Sequence, residues 1–187
     1  MAAQNHDGAV SKMAEKIEAP GLGPVVSAAH LAEGAMPALS EVEFALEMTS
    51  HAFQRWMVRA MAAAGITGLS PLDVFVLHTV SHRGRVKTVS DICLVLNIED
   101  THTVTYTLKK LERMGLVCSS RVGKEKAVGV TQAGEAACLR YREIREALLV
   151  SAIKALGLDE KEMSRMAALL RALSGHYDQA ARAAVAM

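Results

Sequence analysis

The chain has 187 residues, 51% of them apolar but only 4% aromatic, and a formal net charge of +1. That length can bury a core of its own, with one domain plus extensions as the natural organisation. No apolar run approaches the roughly 18 residues needed to cross a bilayer, and the first twenty residues carry Asp7, Glu15 and Glu18 without an apolar stretch. A membrane span and a secretory leader are therefore excluded as readings, and a cytoplasmic location is expected. Ala, Leu and Met lose little rotamer freedom in a helix, so their abundance predicts a mainly α protein.

Charge is unevenly spread. Residues 1–82 hold four basic and eight acidic groups, residues 83–131 nine and five, and residues 132–187 eight and seven. The positive excess falls on one central segment, where an electrostatic footprint for a polyanion would sit. The three cysteines, Cys93, Cys118 and Cys138, have no CxxC spacing and are read as small buried or half-buried thiols, with a redox-sensing thiol as the alternative.

In chain order, residues 1–37 mix Ala, Gly, Pro and Ser and read as an extension, with helical pieces near 9–18 and 25–34. Ser40 and Glu43 have capping-box spacing, so a helix is predicted over 40–64, its stripe formed by Val42, Leu46, Thr49, Phe53, Met57, Ala60 and Ala64. Gly65 should end it. Ser70-Pro71-Leu72-Asp73 starts a second helix running to about Arg83. An edge strand is expected near Val86–Thr88. Thr88 or Ser90 then caps a brief helix, Asp91 to Leu96, with Ile92, Val95 and Leu96 turned inward.

Asn97-Ile98-Glu99-Asp100 forms a turn in which Asn97 takes the left-handed conformation. The next helix, from Asp100 or Thr101, buries Val104, Leu108 and Leu111 and shows Thr101, His102, Thr105, Tyr106 and Lys109. Gly115 closes it. A strand to about Arg121, a tip at Val122-Gly123-Lys124-Glu125 and a return strand Lys126–Val130 follow. Thr131 caps a long helix carrying Ala137, Tyr141, Ile144 and Leu148 to about Leu156. Asp159 caps the last, with Met163, Met166, Leu169, Leu170 and Leu173 on its buried side.

A helix-turn-helix followed by a hairpin wing is a unit that grips duplex DNA. The second helix fits the major groove, and the wing reaches phosphates or the minor groove. The candidate DNA-binding residues are Thr88 and Ser90 at the first helix, Thr101, His102, Thr103, Thr105, Tyr106 and Lys109 on the second, and Arg121, Lys124 and Lys126 on the wing. Three other constellations are weaker. His78 and His82, four apart, could share a metal with His51 or Asp73, but surface or capping histidines are the simpler reading, and no metal or cofactor is assigned. Phe53, Trp56 and Met57 could line an effector pocket, though dimer core is the preferred reading. The chain has no Gly-rich phosphate loop, no nucleophile elbow and no paired carboxylates in a plausible cleft, so no enzyme is expected.

The segments "SPLDVFVLHTVSH", "TVSDICLVLNIEDTHTVTYTLKKLERMGLV" and "KAVGVTQAGEAA" make residues 70–149 resemble the winged-helix core of MarR-type transcription regulators. The wing is several residues shorter than that family's and lacks its Asp-x-Arg signature, Lys124 standing about where the tip Arg would be. The resemblance implies a winged-helix domain over 38–187, with a DNA-binding core at 70–134 and dimerisation helices at 40–64 and 135–185. It also implies a homodimer on a pseudo-palindromic operator, released by a small-molecule effector or an oxidant. The alternative from another class is a winged-helix protein–protein interaction module without DNA binding.

Overall fold

The computed structural model describes residues 23–122, 125–155, 157 and 159–187. The chain divides into two compact units, one up to Gln54 and the other from Arg55 onward, with the boundary inside the first long helix.

In the first unit a 3-10 turn, Ala29–Ala32, precedes helix α1, Pro37–Ala63. The expected start at Ser40 is corrected: the helix begins three residues earlier. Pro37 has its φ preset for a first helical position, Ala38 and Leu39 are good helix formers, and Ser40 falls inside. Near this start the Glu41 carboxylate accepts the Val25 N–H at 2.9 Å. The helical piece expected at 9–18 lies outside the described residues.

The second unit holds the core. The C-terminal part of α1 contributes Met57, Ala60 and Met61, and it ends where Gly65 adopts φ 93° and the Ile66 N–H reaches back to Met61 O. Helix α2, Pro71–Ser81, is buried nearly all round through Val74, Val76, Leu77, Thr79 and Val80, as befits a central helix. It packs on α3 (Val89–Leu96), α4 (Thr101–Arg113), α5 (Gln132–Arg145) and the strand Glu125–Val130. A three-stranded antiparallel sheet, β1 (Lys87–Thr88), β3 (Glu125–Val130) and β2 (Val117–Val122) in spatial order, covers one side of these helices. The hairpin register pairs Val117 with Val130 and Arg121 with Lys126. The edge strand pairs Lys87 with Val128.

Helix α5 passes into a π-helical turn, Glu146–Val150, and a final turn, Ser151–Lys154. Leu156, the expected end, lies outside the described residues. After Gly157, at φ 75°, Asp159 caps helix α6, Glu160–Ala184, with Glu162 completing a capping box. The buried side expected for α6 is corrected: no α6 residue is buried in the single chain, and Met163, Met166, Leu169 and Leu170 all face solvent. Among the described residues, no helix is long and apolar enough to cross a membrane.

Candidate nucleic-acid interface

Three capping devices locate the helix-turn-helix. Ser70 and Asp73 exchange hydrogen bonds at the start of α2: the Ser70 N–H donates to Asp73 Oδ2 at 2.7 Å, and the Asp73 N–H donates to Ser70 Oγ at 3.2 Å. Thr88 and Asp91 do the same for α3, at 2.8 and 3.1 Å. Asp100 caps α4 by accepting the His102 N–H at 2.8 Å and the Thr103 hydroxyl at 2.6 Å. Between α3 and α4, Asn97 sits at φ 53°, ψ 48°, the left-handed conformation read from its side chain.

Inside α3 one expectation fails. Val95 is 66% exposed, and Cys93 is buried in its place. The helix begins at Val89 rather than Asp91, and the inward stripe is then Val89, Ile92, Cys93 and Leu96, leaving Leu94 and Val95 outward. Helix α4 behaves as read, with Val104, Leu108 and Leu111 buried and Thr107 added to the inner face.

An ion pair that sequence spacing did not reveal fixes α4 against α2. Lys110 Nζ lies 2.5 Å from Asp73 Oδ2, and the Asp73 side chain is only 3% exposed. Burial pushes the Asp73 carboxyl upward, but hydrogen bonds from Lys110 and Ser70 more than offset this and hold it below its usual range. On the far side of α4, Glu112 accepts the Ser119 N–H at 3.1 Å and ties the wing to the same helix.

The outward side of α4 carries Thr101, His102, Thr103, Tyr106 and Lys109, all exposed, with Thr105 half-exposed. Tyr106 stands 67% exposed and, with Lys109, Glu112 and Arg113, lines a shallow open groove. Arg113 extends the row 102, 106, 109 by one more turn and was not among the residues singled out, although its i+4 spacing from Lys109 was available. The hydroxyls divide into two groups. Thr103 is bonded to Asp100, Thr105 donates to Thr101 O at 2.8 Å, and Thr88 donates to Asp91 Oδ2 at 2.8 Å. Among the described residues, the Thr101 and Tyr106 hydroxyls, the His102 ring and the Lys109 ammonium make no hydrogen bond. Ser90 is exposed in the first turn of α3.

On the wing, Arg121 is exposed and opposite Lys126, whose backbone pairs in β3. Lys124 lies outside the described residues. A further cation, Lys87, turns inward: its ammonium donates to Val80 O, His82 O and Arg85 O at 3.2, 2.8 and 3.1 Å. Burial and neighbouring Arg85 lower its pKa, partly opposed by Asp91.

The remaining candidates divide between packed and exposed positions. His78 is half-buried with its ring edge-on to Tyr141 at 4.6 Å, and burial lowers its pKa. His82 follows the last residue of α2, its backbone N–H bonded to Thr79 O. Among the described residues no group of three His, Cys, Asp or Glu side chains is placed to hold a metal ion. Trp56 packs against the core of the second unit beside buried Met57, whereas Phe53 is 44% exposed. Cys93 is buried and Cys138 half-buried, where burial raises its pKa, but Cys118 is exposed on β2.

Residues 69–134 match a winged helix DNA-binding domain family. No curated protein matches the chain. Among solved structures, it is similar to a mutant MarR from Escherichia coli complexed with operator DNA (17% identity, TM-score 0.59), over 76% of this chain and 99% of that one. It is also similar to NMB1585, a MarR family regulator from Neisseria meningitidis (19% identity, TM-score 0.60), over 76% and 95%. A third similar structure is the MepR–DNA complex from Staphylococcus aureus (21% identity, TM-score 0.55), over 72% and 95%. At these identities the shared property is the fold. The chain has the winged-helix fold of the MarR-type regulators, and its residues 69–134 match the family model of a winged helix DNA-binding domain.

Proposed function

We propose that the protein is a sequence-specific double-stranded DNA-binding transcription regulator acting as a homodimer on a pseudo-palindromic operator. The observation that carries this reading is the outward face of α4. Thr101, His102, Tyr106 and Lys109 project from a helix locked behind by the Lys110–Asp73 pair, and their polar groups make no hydrogen bond among the described residues. A rigid helix with free polar ends is what major-groove readout requires. The MarR and MepR structures in complex with DNA support the same use of the fold.

The roles divide by chemistry. Tyr106 and His102 can hydrogen-bond base edges, Thr101 can offer a hydroxyl or a methyl, and Lys109 reaches a phosphate or a guanine. Arg121, with Lys124 and Lys126, meets phosphates from the wing. The backbone N–H groups at the start of α3, with Ser90, do so from the other side. The hydroxyls of Thr88, Thr103 and Thr105 already donate internally, so their part is to shape the surface and accept bonds. The uncovered apolar side of α6, Leu169 being 58% exposed, supports a self-association surface.

The test is selection of bound duplexes from a random pool with the purified protein, alongside sedimentation. The expected result is an inverted-repeat motif bound by a dimer. In titrations Tyr106→Phe should change the preferred bases, while Arg121→Ala should weaken all duplexes alike. No enrichment and no binding even at low salt would overturn the reading in favour of a protein-interaction module.

A further inference from the structure

Helix α6 meets the rest of its unit sparingly: of its 25 residues none is buried, and only Ala167, Leu173 and Asp178 are half-covered. One of those three makes a defined polar contact. The Asn97 amide Nδ2 donates to both carboxylate oxygens of Asp178, at 3.3 and 3.1 Å, across 81 positions of sequence. Asn97 is also the residue that turns the chain from α3 to α4. Its backbone N–H bonds the end of α3 at Cys93 O and Leu94 O, and the Ile98 N–H bonds Cys93 O at 2.9 Å. Two residues later Asp100 begins α4 through the His102 N–H and the Thr103 hydroxyl.

A short run of polar contacts and turn backbone therefore leads from α6, through the turn, to the first turn of the helix whose face was assigned above. We propose that Asp178 is a positioning residue for α4, acting through Asn97, so that the placement of α6 sets the angle at which α4 is presented. This rests on the DNA-binding reading for its functional consequence. The sign of the effect separates positioning from plain electrostatics. A carboxylate that merely sat near DNA would repel phosphates, and removing it would tighten binding. A carboxylate that holds the turn would weaken binding when removed, despite the gain of positive charge.

The experiment is a double-mutant cycle in the full chain with Asp178→Ala and Asn97→Gly, glycine being chosen because it keeps the left-handed turn while losing the amide. Affinity for a duplex selected by the wild-type protein should fall about fivefold in either variant, and the pair should lose no more than the worse single, as for one charge-assisted hydrogen bond. In the free protein, amide exchange over residues 98–104 should quicken in both. Tighter or unchanged binding by Asp178→Ala, or losses that multiply in the pair, would overturn the proposal. If the wild-type protein retains no duplex at all, the DNA reading fails separately, and amide exchange decides the positioning role: unchanged rates remove it, faster rates keep it.

Discussion

Replacing Lys110 with Met tests the contact that fixes α4 on α2. Methionine keeps most of the apolar stem and removes the ammonium, leaving Asp73 a buried carboxylate with Ser70 as its remaining partner. Removing one partner of a fully buried pair costs about 3–5 kcal/mol. Two features reduce that figure: the Ser70 N–H still donates to Oδ2 at 2.7 Å, and the Lys110 side chain is 27% exposed, so water already screens part of the attraction. A loss of about 2–3 kcal/mol is expected, read from urea midpoints at unchanged slope. Adding Asp73→Asn should return roughly 1 kcal/mol, because no unpaired charge then remains buried. The pH dependence is signed. Because the folded Asp73 carboxyl lies below its ordinary value, its stabilisation is complete above about pH 4 and is lost as pH falls through the folded value. The deficit of Lys110→Met should therefore shrink below about pH 4. A deficit under about 0.5 kcal/mol, or one that is flat from pH 6 to pH 3, would refute the reasoning.

Two further outcomes concern the scaffold. Gly134 lies where α5 crosses the end of the hairpin, and a methyl group there would sit 2.1 Å from Leu116 O and 2.8 Å from Val130 Cγ2. The carbonyl cannot yield as a side chain would, so Gly134→Ala should cost about 3 kcal/mol or more in urea unfolding, and an unchanged midpoint would contradict the close approach. Burial holds His78 below its ordinary value, so the folded state resists its protonation and stability should decline as pH drops beneath about 6.5. His78→Phe should flatten the profile between pH 7.5 and 5.5, and an undiminished slope in that variant would assign the proton elsewhere.

Local chemistry made much of this fold legible. Ser70, Thr88, Thr131 and Asp159 each cap the helix that their position announced, and Asn97 takes the left-handed turn. The outward set on α4 follows from a 3.6-residue period with three buried aliphatics behind it. What escaped was of two kinds. Competing local starts misled at Ser40, where Pro37 begins the helix three residues earlier although Met57, Ala60 and Ala64 stay buried as expected, and at Val95, where a helix starting at Val89 buries Cys93 instead. Pairings across long separations, Asp73 with Lys110 and Asn97 with Asp178, leave no mark in sequence spacing. The hydroxyl bonds within α4 belong to neither kind: Thr105 to Thr101 O is an i to i−4 bond that threonine commonly makes, and it could have been foreseen.

The inward turn of Lys87 changes how the cationic segment should be counted. Nine basic residues fall between 83 and 131, yet Lys87 is enclosed by three carbonyls and Lys110 is paired with Asp73. At most seven can then displace condensed counterions from a polyelectrolyte. A tally from sequence would thus overstate how many ions this chain could release from a polyanion, and with them the ionic-strength sensitivity of any such binding.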